Sequence, residues 1–417
     1  MCIRDRYIAN HYISSENNRT LMAISMPFSY LQPYVSDSSH TIPPEMFVGR
    51  RDELLSIESA TGANFVFGGP QLGKSALLKK AREETDDREA GRIAIFIDIL
   101  GLDIEKAAYK VSKELVSNGI IPESEETDDW EKLTSEIKKS IINNLISYLL
   151  IMFDEADTFI DDCKNVNYRP LVFLKDIQQS LNGKFKFVLA GLHNVVKFNR
   201  NVDLGKNPVI THFSSINVKP FDYENGKELL TKPLGYLGFT FDDEILINHI
   251  LSTTNYFPGL IQLYCTKLIE SMRKNYAGYN ESNTPAYHIT ESHIGKILSD
   301  KSFVEEIKNK FEITLTFDNE YYIIVLLLAH LFVEEERSSG YSSEDIMKLS
   351  ATLGVDNLKH FNTEQIETIL EELCDLNILK KLGEYYLFRT KSFRDLLGSK
   401  QEIEEKLIER MNKTDDE

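Results

Sequence analysis

Cysteine is scarce in this chain, and its spacing excludes two classes of site. The 417 residues include four cysteines, and none of them forms a CxxC pair or shows the spacing of metal ligands. The nine histidines are equally dispersed. We therefore predict free thiols rather than disulfides, and we predict no zinc site. The thiols belong to Cys2, Cys163, Cys265 and Cys374.

Long apolar runs are also lacking. No stretch reaches the roughly 18 consecutive apolar residues that a membrane-spanning helix needs. The most apolar run, Tyr321 to Val333, is interrupted by His330 and predicts a buried helix instead. The segment Met1 to Arg6 alternates charged with apolar side chains, whereas a secretory signal has a continuous apolar centre. These features predict a cytoplasmic protein that does not contact a membrane.

The chain has no excess of basic residues. It holds 47 Lys and Arg against 65 Asp and Glu, which gives a formal net charge of −18. Such a chain is repelled by nucleic acid and by anionic membranes. Its hydrophobic content of 42% and charged content of 27% are those of an ordinary globular protein. At this length two or three domains are expected.

Between Asn64 and about Leu189, apolar strand-like segments alternate with segments of helical periodicity. This alternation predicts a parallel sheet covered on both faces, so the expected fold class is α/β. The predicted strands are Asn64–Phe67, Arg92–Asp98, Leu149–Phe153, Phe185–Leu189 and Ile216–Val218. The predicted helices are Lys74–Glu84, Ile104–Val116, Trp130–Leu145 and Leu171–Leu181.

After about Pro220 the strand pattern stops, and two further regions follow. The first is predicted to be all-helical, with helices Tyr223–Gly235, Asp242–Ser252 and Leu260–Arg273. The second has three helices and then a hairpin, which is the order of a winged helix: Asn319–Glu335, Ser343–Thr352, Thr363–Leu376 and Leu379–Phe388. We predict an N-terminal extension over 1–42, a core over 43–220, a helical lid over 221–315, a winged helix over 316–400 and a charged tail over 401–417.

The segment Gly68 to Ser75 matches G-x-x-x-x-G-K-[ST] in full, between a predicted strand and a predicted helix. Glycines let the backbone wrap anionic oxygens, and the helix N-terminus adds its positive dipole end. Lys74 should reach the β- and γ-phosphates of ATP, and the Ser75 hydroxyl should ligate Mg²⁺. The predicted nucleotide-binding residues here are Gly68, Gly69, Pro70, Gln71, Leu72, Gly73, Lys74, Ser75 and Ala76.

A second anchor for Mg²⁺ comes from the apolar strand that ends in Asp154 and Glu155. Carboxylates at the end of a buried parallel strand lie at the sheet edge where α/β proteins bind ligands. We predict that Asp154 holds Mg²⁺ and that Glu155 polarises the attacking water. Asp157 is predicted to cap the next helix or to support the metal site from behind its ligands, and the helix cap is favoured. His193 or Asn194, after the fourth strand, is predicted to sense the γ-phosphate and to take part in catalysis.

Phe47–Glu53 resembles the hhGRxxE box of AAA+-like ATPases of the STAND class and of origin-recognition-type ATPases. This resemblance implies that Val48 and Gly49 pack against the adenine. Thr254–Leu260 is similar to the lid segment in which STAND proteins carry a proline near the nucleotide, which would be Pro258 here. The family implies a P-loop core, a lid and a winged helix over residues 43–400. The bacterial STAND-like ATPases of conflict or defence systems are the nearest group.

The chain departs from ordinary AAA+ machines in ways that favour a switch over a fast motor. The predicted lid helix has no arginine before Arg273. Arg200 is the best candidate for an arginine finger, but a surface charge is the favoured interpretation of it. We therefore expect slow, Mg²⁺-dependent hydrolysis that drives a lid movement. The partner would be another protein or a second copy of this chain, bound through the lid and the winged helix.

Two alternatives use the same loop. One is a DNA-associated ATPase of the origin-recognition or transposition-helper kind, and the other is a small-molecule kinase. DNA binding is disfavoured because the predicted recognition helix Thr363–Leu376 holds no Lys or Arg. Residues 321–400 contain nine basic and thirteen acidic residues, which gives this region a net negative charge. The kinase is disfavoured because an Asp–Glu pair suits water activation and no acceptor-binding region stands out.

Overall fold

The computed structural model describes residues 32–34, 42, 46–59, 62–143, 146–192, 213–275, 287–316 and 318–412. The chain forms two compact units. The first, called the sheet unit here, comprises residues 50–69 and 73–219. The second, the C-terminal unit, comprises residues 1–49, 70–72 and 220–417. A short piece of the glycine-rich loop therefore clusters with the second unit.

The sheet unit is built on five parallel strands in the order β2-β3-β4-β1-β5. Strand β4 separates β1 from β3, and β1 pairs with β5 on its other side. At the far edge β2 pairs with β3 in a register that sets Asp98 opposite Asp154. The strands are β1 Ala63–Phe67, β2 Arg92–Asp98, β3 Tyr148–Asp154, β4 Phe185–Gly191 and β5 Phe213–Asn217.

Within the described residues, six helices belong to the same unit. They are α1 Arg51–Glu58, α2 Lys74–Thr85, α3 Ile104–Ser117, α4 Trp130–Asn143, α5 Asp157–Asn165 and α6 Arg169–Ser180. Every residue of β3 and of β4 is buried, as expected for central strands covered on both faces. The predicted α/β architecture is confirmed. The sequence pattern missed α1 and α5, each of which has fewer than ten residues.

The last strand of the sheet begins earlier than predicted. It covers Phe213–Asn217 rather than Ile216–Val218, because it is an edge strand with exposed serines at 214 and 215. A half-exposed edge lacks the apolar run that marks a central strand. Phe213 stacks on Phe65 of β1 with ring centroids 4.2 Å apart, and this contact supports the start of the strand.

The C-terminal unit begins with helices α7 Tyr223–Tyr236, α8 Glu244–Thr253, α9 Pro258–Asn275, α10 Glu291–Leu298 and α11 Lys301–Leu315. The prediction of an all-helical region was wrong here. A two-stranded parallel sheet joins β6 Phe239–Phe241 to β7 Tyr287–Ile289. Each strand has three residues, and the partners lie far apart in sequence, so no local pattern marks them.

The predicted order of three helices followed by a hairpin is confirmed. The helices are α12 Asn319–Glu334, α13 Ser343–Leu353 and α14 Thr363–Asp375, and the hairpin pairs β8 Leu379–Leu382 with β9 Tyr385–Phe388. Two helices that close the described chain, α15 Lys391–Leu396 and α16 Lys400–Met411, complete the unit. Of these, α15 was not predicted. Within the described residues no helix is both long enough and apolar enough to cross a membrane.

Candidate functional site

The glycine-rich loop joins β1 to α2 through backbone conformations that favour glycine. Gly68 has a φ of 147° and Gly73 a φ of 88°. A Cβ added at Gly73 would approach no heavy atom closer than 4.0 Å, so glycine is needed there for its backbone freedom rather than for space. Gly73 is also the N-cap of α2, and no side chain caps that helix. Uncapped N–H groups at a helix start are suited to bind an anion.

Lys74 is the first residue of α2, and its side chain reaches back to the start of this loop. Its Nζ donates to the carbonyl oxygens of Gly68 and Gly69, at 3.0 and 3.1 Å. The residue is 6% exposed, and this burial lowers the pKa of the ammonium while Glu155 and Asp154 counteract the change. A phosphate would replace neutral carbonyl partners by charged oxygens, which form stronger hydrogen bonds.

Asp154 ends β3 with a buried carboxylate that has one unpaired oxygen. The residue is 3% exposed, and its Oδ1 has no hydrogen-bond partner among the described residues. Burial raises the pKa of this carboxyl, whereas a hydrogen bond from Ser75 and the charge of Lys74 lower it. A buried carboxylate oxygen beside a hydroxyl is the kind of oxygen donor set that Mg²⁺ prefers. Ser75 and Asp154 therefore fit the predicted metal site.

Glu155 is half-buried and follows directly in a left-handed backbone conformation, with a φ of 53°. Such conformations are uncommon outside glycine and concentrate at functional sites. The turn is held on its far side, where the Ala156 N–H donates to the Ala190 carbonyl at 2.8 Å. Burial raises the pKa of the Glu155 carboxyl, and the nearby Lys74 lowers it. A carboxylate with a raised pKa is a better proton acceptor near neutral pH.

Two further acids belong to this edge of the sheet. The prediction that Asp157 caps its helix was wrong. Ala156 is the N-cap, and Asp157 is the first helical residue. Its Oδ2 instead accepts the Leu192 N–H at 2.7 Å, which fixes the end of β4. Asp98 was missed. It lies opposite Asp154 in the sheet, and its charge raises the pKa of Asp154. The signal was available, since Asp98 ends an apolar strand as Asp154 does.

The remaining predicted residues are placed as follows. Around Lys74, the residues Gly68, Gly69 and Leu72 are buried, whereas Pro70, Gln71, Gly73, Ser75 and Ala76 are half-buried. In the C-terminal unit, Val48 is 9% exposed and Pro258 begins α9. Gly49 has a φ of 65°, and an added Cβ would lie 2.9 Å from Asn225 Oδ1. The adenine contacts of these three stay a prediction. His193, Asn194, Arg200 and the Arg273 side chain lie outside the described residues.

The box before the loop contains a structural arginine. Arg50 pairs with Glu53 at 3.1 Å, and its Nη2 donates to the Lys219 carbonyl at 2.5 Å. The helix that follows, α1, ends against Lys186 of β4, whose Nζ donates to the carbonyls of Ser56 and Ser59 at 2.9 and 2.6 Å. Through Arg50, the box therefore links the first residue of the sheet unit to the last one. The helix that follows it, α1, is held at its end by Lys186.

No protein-family model matches the chain, and no curated protein matches its sequence. The solved structures that share its fold include two ATPase-related proteins. A Walker-type ATPase of Pyrococcus abyssi has a TM-score of 0.59 at 15% identity, over 87% of this chain and 99% of that one. The ORC2 protein of Aeropyrum pernix in ADPNP–ADP complexes has a TM-score of 0.54 at 14% identity, over 91% and 98%. The chain thus has the fold of AAA+-like P-loop ATPases.

Proposed function

We propose that this protein binds ATP with Mg²⁺ and hydrolyses it slowly, as a nucleotide-controlled switch. The observation that carries the proposal is the grouping of Lys74, Ser75, Asp154 and Glu155 at one edge of the sheet, where the two carboxylates raise the pKa of Lys74 and its charge lowers the pKa of both. The fold shared with a Walker-type ATPase and with a protein in ADPNP–ADP complexes supports it. The STAND-like, signalling or defence role, and a cytoplasmic location, belong to the same proposal.

Each residue has a separate task in this mechanism. The N–H groups at the start of α2 and the Lys74 ammonium bind the phosphates and stabilise the charge that develops on them. Ser75 and Asp154 would hold Mg²⁺, which supplies further positive charge at the phosphates when bound. Glu155 orients a water molecule and accepts its proton. One of His193 and Asn194 would report the γ-phosphate.

The first experiment measures ATP binding by calorimetry and phosphate release without any acceptor, both with Mg²⁺. Lys74→Ala should lose binding, whereas Lys80→Ala should keep it. Lys80 lies on the same helix, and in the described part of the chain it pairs with Glu83 and Glu84, at 3.6 and 3.2 Å. Glu155→Gln should bind ATP normally and release phosphate about 100-fold more slowly or worse, the usual effect of losing a general base. Size-exclusion chromatography in ATP and in ADP then tests the switch.

Failure of the wild type to bind ATP with Mg²⁺ would contradict the central proposal. Phosphate transfer that requires an added small-molecule acceptor would favour the kinase instead. If Glu155→Gln elutes at the same volume in ATP and in ADP, the proposed ATPase activity is unaffected. That result would contradict a switch that works through a change of assembly.

DNA-associated ATPase activity is the second candidate, and the hairpin region opposes it. Basic side chains there pair with carboxylates of the same region: Lys381 contacts Glu367 and Glu371 at 3.0 and 2.8 Å, and Arg394 contacts Glu336 at 3.2 Å. Cations that are already neutralised contribute little to phosphate binding. We therefore propose that the hairpin region contacts protein or clamps the chain itself. A duplex retarded in a gel at low salt would revive the DNA candidate.

A further inference from the structure

The middle of the glycine-rich loop is hydrogen-bonded inside the C-terminal unit. Residues 70–72 cluster with that unit, and the Gly259 N–H donates to the Gln71 carbonyl at 3.0 Å. Gly259 is the second residue of α9, directly after Pro258, which has no N–H. N–H groups in the first turn of a helix lack helical acceptors and need another partner. At Gly259 that partner is the main chain of the loop.

Gln71 covers Gly259 and leaves little room for a side chain there. A Cβ at this position would lie 2.2 Å from Gln71 Oε1 and 3.1 Å from Gln71 Cβ, so the Gln71 side chain would have to move. The backbone at Gly259 is otherwise ordinary, since no left-handed φ is found there. The limit at this position is therefore one of space, and the side chain of Gln71 sets it.

Gln71 itself is held in an unfavourable conformation. Its φ is 63°, in the left-handed region that non-glycine residues rarely adopt. Such a conformation persists only when its surroundings enforce it. The hydrogen bond from Gly259 fixes the Gln71 carbonyl. Because the peptide group is planar, the same bond fixes the direction of the Leu72 N–H.

We propose that Gly259 is a positioning residue for nucleotide binding, which acts by holding the Gln71–Leu72 peptide of the phosphate loop in one orientation. This inference rests on the proposed function and adds to it a route by which α9 affects the loop. A shift of α9 would release that peptide, and phosphate affinity would change with it.

The test is ATP binding with Mg²⁺ by the full chain, measured by calorimetry for three variants. Gly259→Ala should weaken ATP binding about tenfold, the size of a modest steric strain. Gly235→Ala is the matched control, since it also lies in a helix of this unit and an added Cβ meets nothing within 4 Å. Gln71→Gly combined with Gly259→Ala should restore affinity to within about twofold, because glycine removes the clash and adopts the positive φ without strain.

Recovery of ATP affinity in the double variant distinguishes a positioning role of Gly259 from a general loss of folding. Normal binding by Gly259→Ala, or weak binding that Gln71→Gly does not restore, would overturn this inference and leave the ATPase proposal intact. An absence of ATP binding in the wild type would contradict both. In the nucleotide-free protein, the amide of residue 259 should also exchange with solvent more slowly in the wild type and in the double variant than in Gly259→Ala alone. Equal exchange in the wild type and in Gly259→Ala would contradict the hydrogen bond itself.

Discussion

Asp154 combines a structural cost with a proposed chemical role. Its carboxylate is buried with one oxygen unpaired, and unpaired buried oxygens destabilise a fold. Ser75 and Lys74 offset part of this cost, yet the pKa of the carboxyl is still raised. A residue that is unfavourable for stability and well placed for a cation is typical of binding sites.

Replacing Asp154 by Asn should therefore stabilise the protein without nucleotide by about 0.5–2 kcal/mol, as functional-site substitutions often do. The same change should weaken the dependence of ATP binding on Mg²⁺. Urea unfolding in EDTA and calorimetry with and without Mg²⁺ measure the two effects. Asp161→Asn is the control, since among the described residues Asp161 forms its ion pair with Lys164 on the surface. Loss of stability in Asp154→Asn would show that the carboxylate is a structural requirement.

At the scale of elements, Lys186 connects a strand to the end of a helix. The residue is 0% exposed. Its ammonium donates to the carbonyl of Ser56, in the last turn of α1, and to the carbonyl of Ser59, just beyond that helix. No carboxylate pairs with it in the described part of the chain. Burial lowers the pKa of Lys186 to about 8. The folded protein therefore disfavours the charged form relative to the unfolded chain.

The sign of the pH dependence follows from this pKa. Between pH 8 and about 10.5 the unfolded chain binds a proton that the folded protein has released, so stability rises with pH in that window. The unfolding free energy of wild type minus that of Lys186→Met should rise by about 2 kcal/mol from pH 7 to pH 9.5. Urea unfolding at both pH values measures it, and subtraction removes the other titrating groups. A constant difference would mean that Lys186 keeps its ordinary pKa.

Helix α14 is fixed by a buried polar contact. Tyr321 of α12 donates from its hydroxyl to Glu372 Oε2 at 2.5 Å, and these residues are 0% and 6% exposed. Tyr321→Phe should destabilise the protein by about 1–3 kcal/mol, because it removes a donor from a buried carboxylate. Tyr385→Phe should change stability little, since Tyr385 is 44% exposed. Equal denaturant midpoints for the two variants would contradict this account.

Local patterns predicted the elements that depend on local sequence. The sheet, the strand ending in Asp154 and the glycine-rich loop were identified because an apolar run or a complete motif marks each one. Lys186 was hidden within such a run, since one lysine between phenylalanines does not reveal which helix end it meets. The pairing of β6 with β7 and the contact of Gly259 with Gln71 also depend on residues distant in sequence. Such contacts leave no local pattern to recognise.

At the scale of the whole molecule, nucleotide binding should raise the free energy of unfolding. A ligand that binds only the folded state stabilises it by about 2.7 kcal/mol when present at 100 times its dissociation constant. ATP with Mg²⁺ should therefore raise the melting temperature of wild type, and Lys74→Ala should show no such rise. Scanning fluorimetry over a range of ATP concentrations measures both. An equal rise in Lys74→Ala would place binding outside the glycine-rich loop.

Arg50 and Lys219 bring the first and last residues of the sheet unit together, since the Arg50 guanidinium donates to the Lys219 carbonyl at 2.5 Å. The chain therefore first enters this unit and finally leaves it at neighbouring points, although residues 70–72 in between belong to the C-terminal unit. A segment with adjoining ends can be exchanged between proteins as a cassette, because a replacement has to match only that single junction. A replacement of residues 50–219 would therefore have both of its boundaries side by side, and it would also replace residues 70–72 of the C-terminal unit.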